Sequence, residues 1–314
     1  MNRFTYTANK IRNIFWCGIR KIKGHRKFKR KKYYGKRIKD IEETNALIGA
    51  KIQSGQPFLV ARFGDAELRA LMYGLENKLH LRKGYPDYIR RVMHNNAGFY
   101  PTDNDSLDHF TDVLIESCSK VDVFAVWFNL MEDYVIHEFD SEAELSYLEA
   151  IEPYRSKNPW SRYLKGKKVL VVHPFALSIQ KQYEKRINLF EDKNVLPEFT
   201  LITYKAIQTN AGGESAFESW FDALDHMFKD ISKIDFDIAI VGCGAYGLPL
   251  SAKIKGLGKQ VVHLAGATQI LFGIRGARWD VRPEMQHYFN ENWTRPLESE
   301  KPKDAKSVEN GCYW

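Results

Sequence analysis

Two carboxylates one residue apart, Asp65 and Glu67, stand in the segment Arg62-Phe63-Gly64-Asp65-Ala66-Glu67, directly after the apolar run Phe58-Leu59-Val60-Ala61. If the segment is extended, both face the same way, and hard oxygen ligands of this kind suit Mg²⁺ or Mn²⁺ bridging a diphosphate. The competing reading is structural: Asp65 caps a helix that starts here, and Glu67 favours its positive end. A second segment, Gly242-Cys243-Gly244-Ala245-Tyr246-Gly247, stands between a strand-like run at 236–241 and a helical one at 248–256. Glycines there permit a tight turn, and the amides of a helix start can hold phosphate or sugar oxygens. Close packing of helix on strand explains the same glycines. A dinucleotide would also want an acid about 20 residues on, where the chain reads Val262-His263-Leu264-Ala265-Gly266. The third segment is His173-Pro174-Phe175. A histidine at a strand end could touch donor phosphates or move a proton, and is equally at home as a hydrogen-bonded structural residue. Asp103-Asn104-Asp105 is a rival acidic pair that reads first as a helix cap. Glu214, Glu218 and Asp222 are candidate bases for an attacking hydroxyl, although their i, i+4, i+8 spacing equally suits a solvated helix face.

The elements that must position these groups alternate. Apolar runs at 58–61, 121–127, 168–172, 199–204, 236–241 and 260–264 read as strands. Helical patterns occupy 41–53, 65–73, 86–96 and 105–118, then 141–152 with Ser141 as cap, and later the stretch after Phe175 to about Phe190, 214–231 and 247–256. Such alternation predicts an α/β fold with βαβ crossovers and a mostly parallel sheet covered by helices on both faces. Ligands of such sheets sit beyond the carboxyl ends of the strands, and all three segments fall at that kind of position. The stretch 153–166 is the best boundary candidate for a subdivision, and the polar tail over 295–314 is expected to wrap the surface or to move.

Composition is that of an ordinary globular chain: 314 residues, 44% hydrophobic and 27% charged, which is enough for one large domain or two small ones. Four dispersed cysteines, without a CxxC pair or zinc spacing, fit a reducing cytosol better than a disulfide framework. The net charge of +8 is unevenly placed. Residues 1–40 hold 15 of the 47 basic and one of the 39 acidic residues, leaving 32 basic against 38 acidic in the body. The basicity therefore belongs to an arm, and nucleic acid is not the expected partner. Ile11, Ile14, Phe15, Ile19 and Ile22 recur at helical spacing among Lys10, Arg12, Arg20, Lys21 and Lys23, ahead of Lys27-Phe28-Lys29-Arg30-Lys31-Lys32. This is the pattern of a basic amphipathic helix suited to an anionic membrane surface, and also of a solvated extension. No apolar stretch approaches the roughly 20 residues that a span needs.

The segment Ala61 to Leu68 resembles the RFGDGE segment of the GT-D type bacterial glycosyltransferases, a former domain-of-unknown-function family with a DxE metal motif. Asn96-Ala97-Gly98-Phe99-Tyr100-Pro101-Thr102, Val171-Val172-His173-Pro174-Phe175, the 242–250 glycine segment and Gln269-Ile270-Leu271-Phe272-Gly273-Ile274 carry the resemblance further, over about residues 41–294. Ala66 stands where glycine is usual. The resemblance implies a Rossmann-like GT-D fold, a UDP-sugar or other nucleotide-sugar donor, and Mn²⁺ or Mg²⁺ at Asp65 and Glu67. Arg62, Phe63, Gly64, Gly242, Gly244, Ala245 and Tyr246 are then expected at the donor, and His173 and Glu218 are candidates for the chemistry. The expected activity is sugar transfer to a surface-glycan, glycolipid or glycoprotein acceptor in the cytoplasm, at the inner face of the membrane if the arm docks there. A nucleotide-dependent oxidoreductase and a non-catalytic polysaccharide-assembly protein are the alternatives.

Overall fold

The structure, a computed structural model, describes residues 1–24, 29–209, 215–302 and 311–314. Glu214 and the Lys27-Phe28 part of the arm fall outside them. The chain is α/β, built on a nine-stranded sheet. In chain order the strands are β1 (Lys32–Tyr33), β2 (Lys36–Lys39), β3 (Phe58–Ala61), β4 (Val123–Val126), β5 (Glu144–Tyr147), β6 (Lys168–His173), β7 (Thr200–Lys205), β8 (Ile238–Val241) and β9 (Gln260–His263). Their order across the sheet is β1-β2-β5-β4-β3-β9-β8-β6-β7. Every neighbouring pair is parallel except the β1–β2 hairpin.

The central strands read FLVA, VFAV, IAIV and QVVH and are buried along their whole length, as a sheet covered on both faces requires. Successive side chains point to opposite faces. Leu59, Ala61 and Phe124 therefore join one core, while Phe58, Val60 and Val123 join the other. Helices α2 (Ile41–Ser54), α3 (Asp65–Lys78), α4 (Asp87–Asn95), α5 (Asn104–Cys118), α6 (Glu132–Phe139), α7 (Ala176–Tyr183), α8 (Trp220–Ile231) and α9 (Gly247–Gly256) alternate with the strands. The capping boxes Asp40/Glu43 and Ser219/Asp222 fix the starts of α2 and α8. From β3 the chain moves outward through β4 to β5, and from β6 outward to β7. It then returns inward through β8 to β9, so β3 and β9 meet at a topological switch point.

Two expectations are corrected, and the tail follows one of its two expected courses. The helix expected over 141–152 is strand β5 followed by a 3-10 turn over Leu148–Ile151. Leu145 there pairs with Phe124 on one side and Ile38 on the other, and sheet pairing overrides the local helical pattern. The basic arm is not a detached extension. Its helix, Arg3–Lys23, which we label α0 because it precedes the body, packs on the body through Tyr6 and Asn13, and the β1–β2 hairpin behind it extends the sheet beside β5. Finally, the tail is anchored at two places. The Glu300 carboxylate accepts from the N–H groups of Leu177 and Ser178 at 2.7 and 3.1 Å, capping α7, and residues 311–314 return to the strand ends described next.

Candidate functional site

A cavity of about 490 Å³ lies where the carboxyl ends of β3, β4, β6, β8 and β9 meet their helices. Arg62, Gly64, Asp65 and Glu67 line it after β3, Trp127 after β4, and His173 at the end of β6. Gly242 and Gly244 follow β8, and His263, Ala265 and Gln269 follow β9. The three sequence segments, separated by up to about 180 positions, thus share one wall system.

Asp65 and Glu67 sit in the first turn of α3, not in an extended loop. Gly64 is the N-cap and makes no side-chain cap hydrogen bond, so Asp65 is not the cap. Its carboxylate instead pairs with Arg69 one turn on, at 2.9 Å, with both side chains about half exposed. Glu67 folds back towards the helix start, and its carboxylate lies so close to the Gly64 α carbon that a β carbon there would collide with it. Glycine at 64 is a steric requirement of this placement. Ala66, in contrast, is an ordinary helical position where a methyl group is favoured. Among the described residues no group of three His, Cys, Asp or Glu side chains is arranged as a metal site. The chain could contribute two carboxylates here, a donor set of the kind that holds Mg²⁺ together with substrate phosphates and water.

The glycine segment divides. A β carbon at Gly242 would meet the Ala265 carbonyl and the Thr268 hydroxyl, and one at Gly247 would meet the His263 ring, so both glycines serve close packing of β8 and α9 against β9. Gly244 has φ +58, and a β carbon there would meet only the Ala97 carbonyl, at an ordinary 3.6 Å, so it is the turn itself that requires glycine. Ala245 and Tyr246 are buried away from the cavity, Tyr246 stacked on Trp220 at 4.9 Å. Phe63 is likewise core, stacked on Phe124 at 5.3 Å. These three residues, expected at a ligand, do not line the cavity, because their side chains leave the backbone on the side of the core. Glu218 is exposed ahead of the Ser219 cap, outside the cavity, and Asp222 closes the capping box. Asp103 caps α5 by accepting from the Ser106 N–H at 2.9 Å.

His173 is buried, and burial holds its pKa down at about 3. Its Nδ1 accepts from the Phe175 N–H at 3.0 Å, which puts the proton of the neutral ring on Nε2 and makes it a donor rather than a base. His263 is held at about 3 by burial, assisted by the Arg62 charge. The Arg62 guanidinium itself lies 5.2 Å over the Trp127 ring. Nδ1 of His263 and Oε1 of Gln269, both in buried wall residues, find no partner among the described residues. Buried polar atoms of this kind call for a bonding partner.

Sequence reasoning missed several wall residues. Arg278 lies within a short helix near the C-terminus, α10 (Ala277–Asp280), Arg282 follows it, and Tyr313 comes from the returning tail, held by Arg278 N–H donating to the Cys312 carbonyl at 2.9 Å. The i, i+4 spacing of the two arginines was the available signal; nothing in the sequence indicates that Tyr313 comes back.

A second cavity of about 480 Å³ shares Asp65 and Trp127 with the first. Leu68, Met72 and Tyr73 of α3 form one side, and Lys10, Cys17 and Arg20 of α0 another. Trp127 divides the two cavities and is held from behind by Glu132, whose carboxylate accepts from the N–H groups of Trp127 and Phe128 at 3.1 and 2.8 Å. Two non-glycine residues with left-handed backbone stand on these walls, Phe128 at φ 68 and Ala265 at φ 53. Strain of this type is retained where the surroundings over-determine it, commonly at ligand sites.

No family model matches the sequence, and no curated protein matches it. Two solved structures align with it, each over 85% of this chain and 94% of theirs. The first, described as a selenomethionine-substituted structure of domain of unknown function 1792, aligns at a TM-score of 0.46 and 12% identity. The second, in which that domain is said to have a distinct glycosyltransferase fold, aligns at 0.38 and 14%.

Proposed function

We propose that the protein is a metal-dependent glycosyltransferase that moves a sugar from a nucleotide-diphosphate donor, a UDP-sugar in the first instance, to a glycan, glycolipid or glycoprotein acceptor. The observation that carries this reading is the charge arrangement of the larger cavity. Two carboxylates from the first turn of α3 share its wall with Arg62, Arg278 and Arg282, at the strand ends where such sheets bind ligands. The motif resemblance centred on residues 61–68 points the same way.

Asp65 and Glu67 would hold Mn²⁺ or Mg²⁺, which when bound supplies positive charge to the departing diphosphate. The α3 amides, left without a side-chain cap, orient donor phosphates, and Arg62 adds a fixed positive charge braced on Trp127. His173 donates from Nε2. In the transfer the bond from the anomeric carbon to the diphosphate oxygen breaks, a bond to the acceptor oxygen forms, and the proton of the acceptor hydroxyl passes to the released diphosphate or to solvent. The second cavity, which meets the first at Asp65 and Trp127, is the place for the acceptor. The oxidoreductase alternative has less support, since Gly242 and Gly247 are spent on packing and β9 ends in His263 without an acid.

The test is release of nucleoside diphosphate from a panel of nucleotide sugars, with and without Mn²⁺, by the wild type and by Asp65→Asn and Glu67→Gln. Metal-dependent release by the wild type, reduced about 100-fold or more in both variants at unchanged thermal stability, is expected. Equal release by all three proteins would remove the donor-site assignment.

A further inference from the structure

Helix α0 is amphipathic in an inverted sense. Tyr6 and Asn13 face the body and are buried, the Tyr6 hydroxyl donating to the Met72 carbonyl at 3.2 Å and the Asn13 amide to Asp133 at 2.9 Å. Arg20, a further two turns on, donates to the Phe128 carbonyl at 2.7 Å. The opposite face carries Phe4 (85% exposed), Ile11 (65%), Phe15 (65%) and Ile22 (87%). At about 100° per residue these four fall within an arc of roughly 40°, directly away from Tyr6 and Asn13. Ile14, 54% exposed, widens the stripe. Polar groups therefore hold the helix to the protein, and Phe4, Ile11, Ile14, Phe15 and Ile22 are turned outward along its length.

We infer that this outward face docks on an anionic lipid bilayer, lying in its surface. Three observations select that occupant. The stripe is a convex row of side chains rather than a groove, a shape that inserts among lipid tails. Residues 1–39 contain no acidic side chain. The exposed Arg3 and Lys21 border the stripe, and neither has an ion-pair partner among the described residues, as is also true of Lys31 and Lys32 in the following segment. Anionic headgroups complement that border. A second copy packed symmetrically on the stripe would set like charges against each other. No helix among the described residues is long and apolar enough to cross a membrane, so α0 lies on the bilayer.

The docking does not depend on what the cavities catalyse. If the glycosyltransferase reading also holds, Lys10, Cys17 and Arg20 on the inner side of the same helix place the second cavity beside the bilayer, where an acceptor carried by lipid reaches it.

The test uses the full chain and no activity readout. Sedimentation with vesicles of phosphatidylcholine alone is compared with vesicles of phosphatidylcholine and phosphatidylglycerol in equal parts. The proteins are the wild type, the stripe variant Phe4→Gln/Ile11→Gln/Phe15→Gln/Ile22→Gln, and the border variant Arg3→Glu/Lys21→Glu. All six positions are exposed, so the melting temperature stays near wild type and binding is read on folded protein. The wild type should bind the mixed vesicles at least about tenfold more tightly than the neutral ones, and both variants should lose about tenfold or more of that binding. Binding by the stripe variant equal to wild type, indifference of the wild type to phosphatidylglycerol, or a dimer in solution that the stripe variant abolishes would each overturn the inference.

Discussion

Glu67 reaches back over the α carbon of Gly64, so the smallest available substitution, Gly64→Ala, places a methyl group where the carboxylate lies. The backbone at 64 has φ −76 and ψ 150, which alanine adopts without strain. Gly64→Ala should therefore leave the melting temperature close to wild type, or raise it slightly, while lowering metal-dependent nucleotide release about tenfold or more. Wild-type turnover in that variant would show that the observed position of Glu67 is not the working one. Asp65→Asn removes only an exposed i, i+4 pair with Arg69, about 0.3–0.5 kcal/mol, so its effect on stability stays small as well. At this scale the strand-end positions of Asp65, Glu67, Arg62 and His173 were legible in the sequence, and the structure brings the four to the wall of one cavity. Sequence reasoning misplaced Phe63, Ala245 and Tyr246, since neighbours in sequence leave the backbone in different directions and these three turn into the core.

Glu132, the first residue of α6, shows how an element's start can carry the loop before it. Its carboxylate is buried, and burial raises its pKa from the ordinary 4.5 to about 7, even though the Phe128 N–H and Tyr33 hydroxyl favour its charged form. A native pKa above the unfolded one means that the folded state binds the extra proton. The resulting stabilisation is complete below about pH 4.5 and is lost as pH rises through 7. Glu132→Gln should accordingly gain stability relative to wild type between pH 5 and pH 8, measured by denaturant unfolding at both; a difference that does not change with pH would exclude this carboxyl as the source. The N-terminal elements make a second prediction. Asp133, fully buried, pairs with Arg12 and Arg30 at 2.8 Å each. Arg12→Gln/Arg30→Gln leaves that charge uncompensated and should cost about 3–5 kcal/mol, and Asp133→Asn added to it should restore part of the loss. Absence of any recovery would place the cost elsewhere in α0. Helix α0 and strands β3, β6 and β9 were readable from periodicity. Strand β5 and the docking of the arm were not, because both are decided by tertiary partners: Phe124 and Ile38 for Leu145, and Met72, Phe128 and Asp133 for α0.

The whole molecule places its two cavities around one switch point, with walls drawn from the N-terminal helix, the carboxyl ends of β3, β4, β6, β8 and β9, and the C-terminal tail. A ligand that binds only this assembled state stabilises all of it. UDP with Mn²⁺, at about 100 times its dissociation constant, should add roughly 2.7 kcal/mol, read as a rise in melting temperature. Glu67→Gln should lose the part of the rise that depends on Mn²⁺. A rise that is independent of metal in the wild type would separate nucleotide binding from the carboxylate pair. The parallel sheet and the ligand-facing edge were legible in the sequence, since alternation and strand-end motifs are local signals. Arg282, Gln269 and Tyr313 reach the cavity only through the closure of the sheet and the return of the tail.

The ion pair between Arg12 and Asp133 joins residues 121 positions apart. At a synthesis rate of roughly 5–20 residues per second, α0 is complete about 6–22 seconds before its buried carboxylate partner exists. During that interval the helix presents its polar side as well as its apolar one to whatever lies near the ribosome. The order of synthesis, rather than affinity, then governs whether α0 meets the body or another surface first.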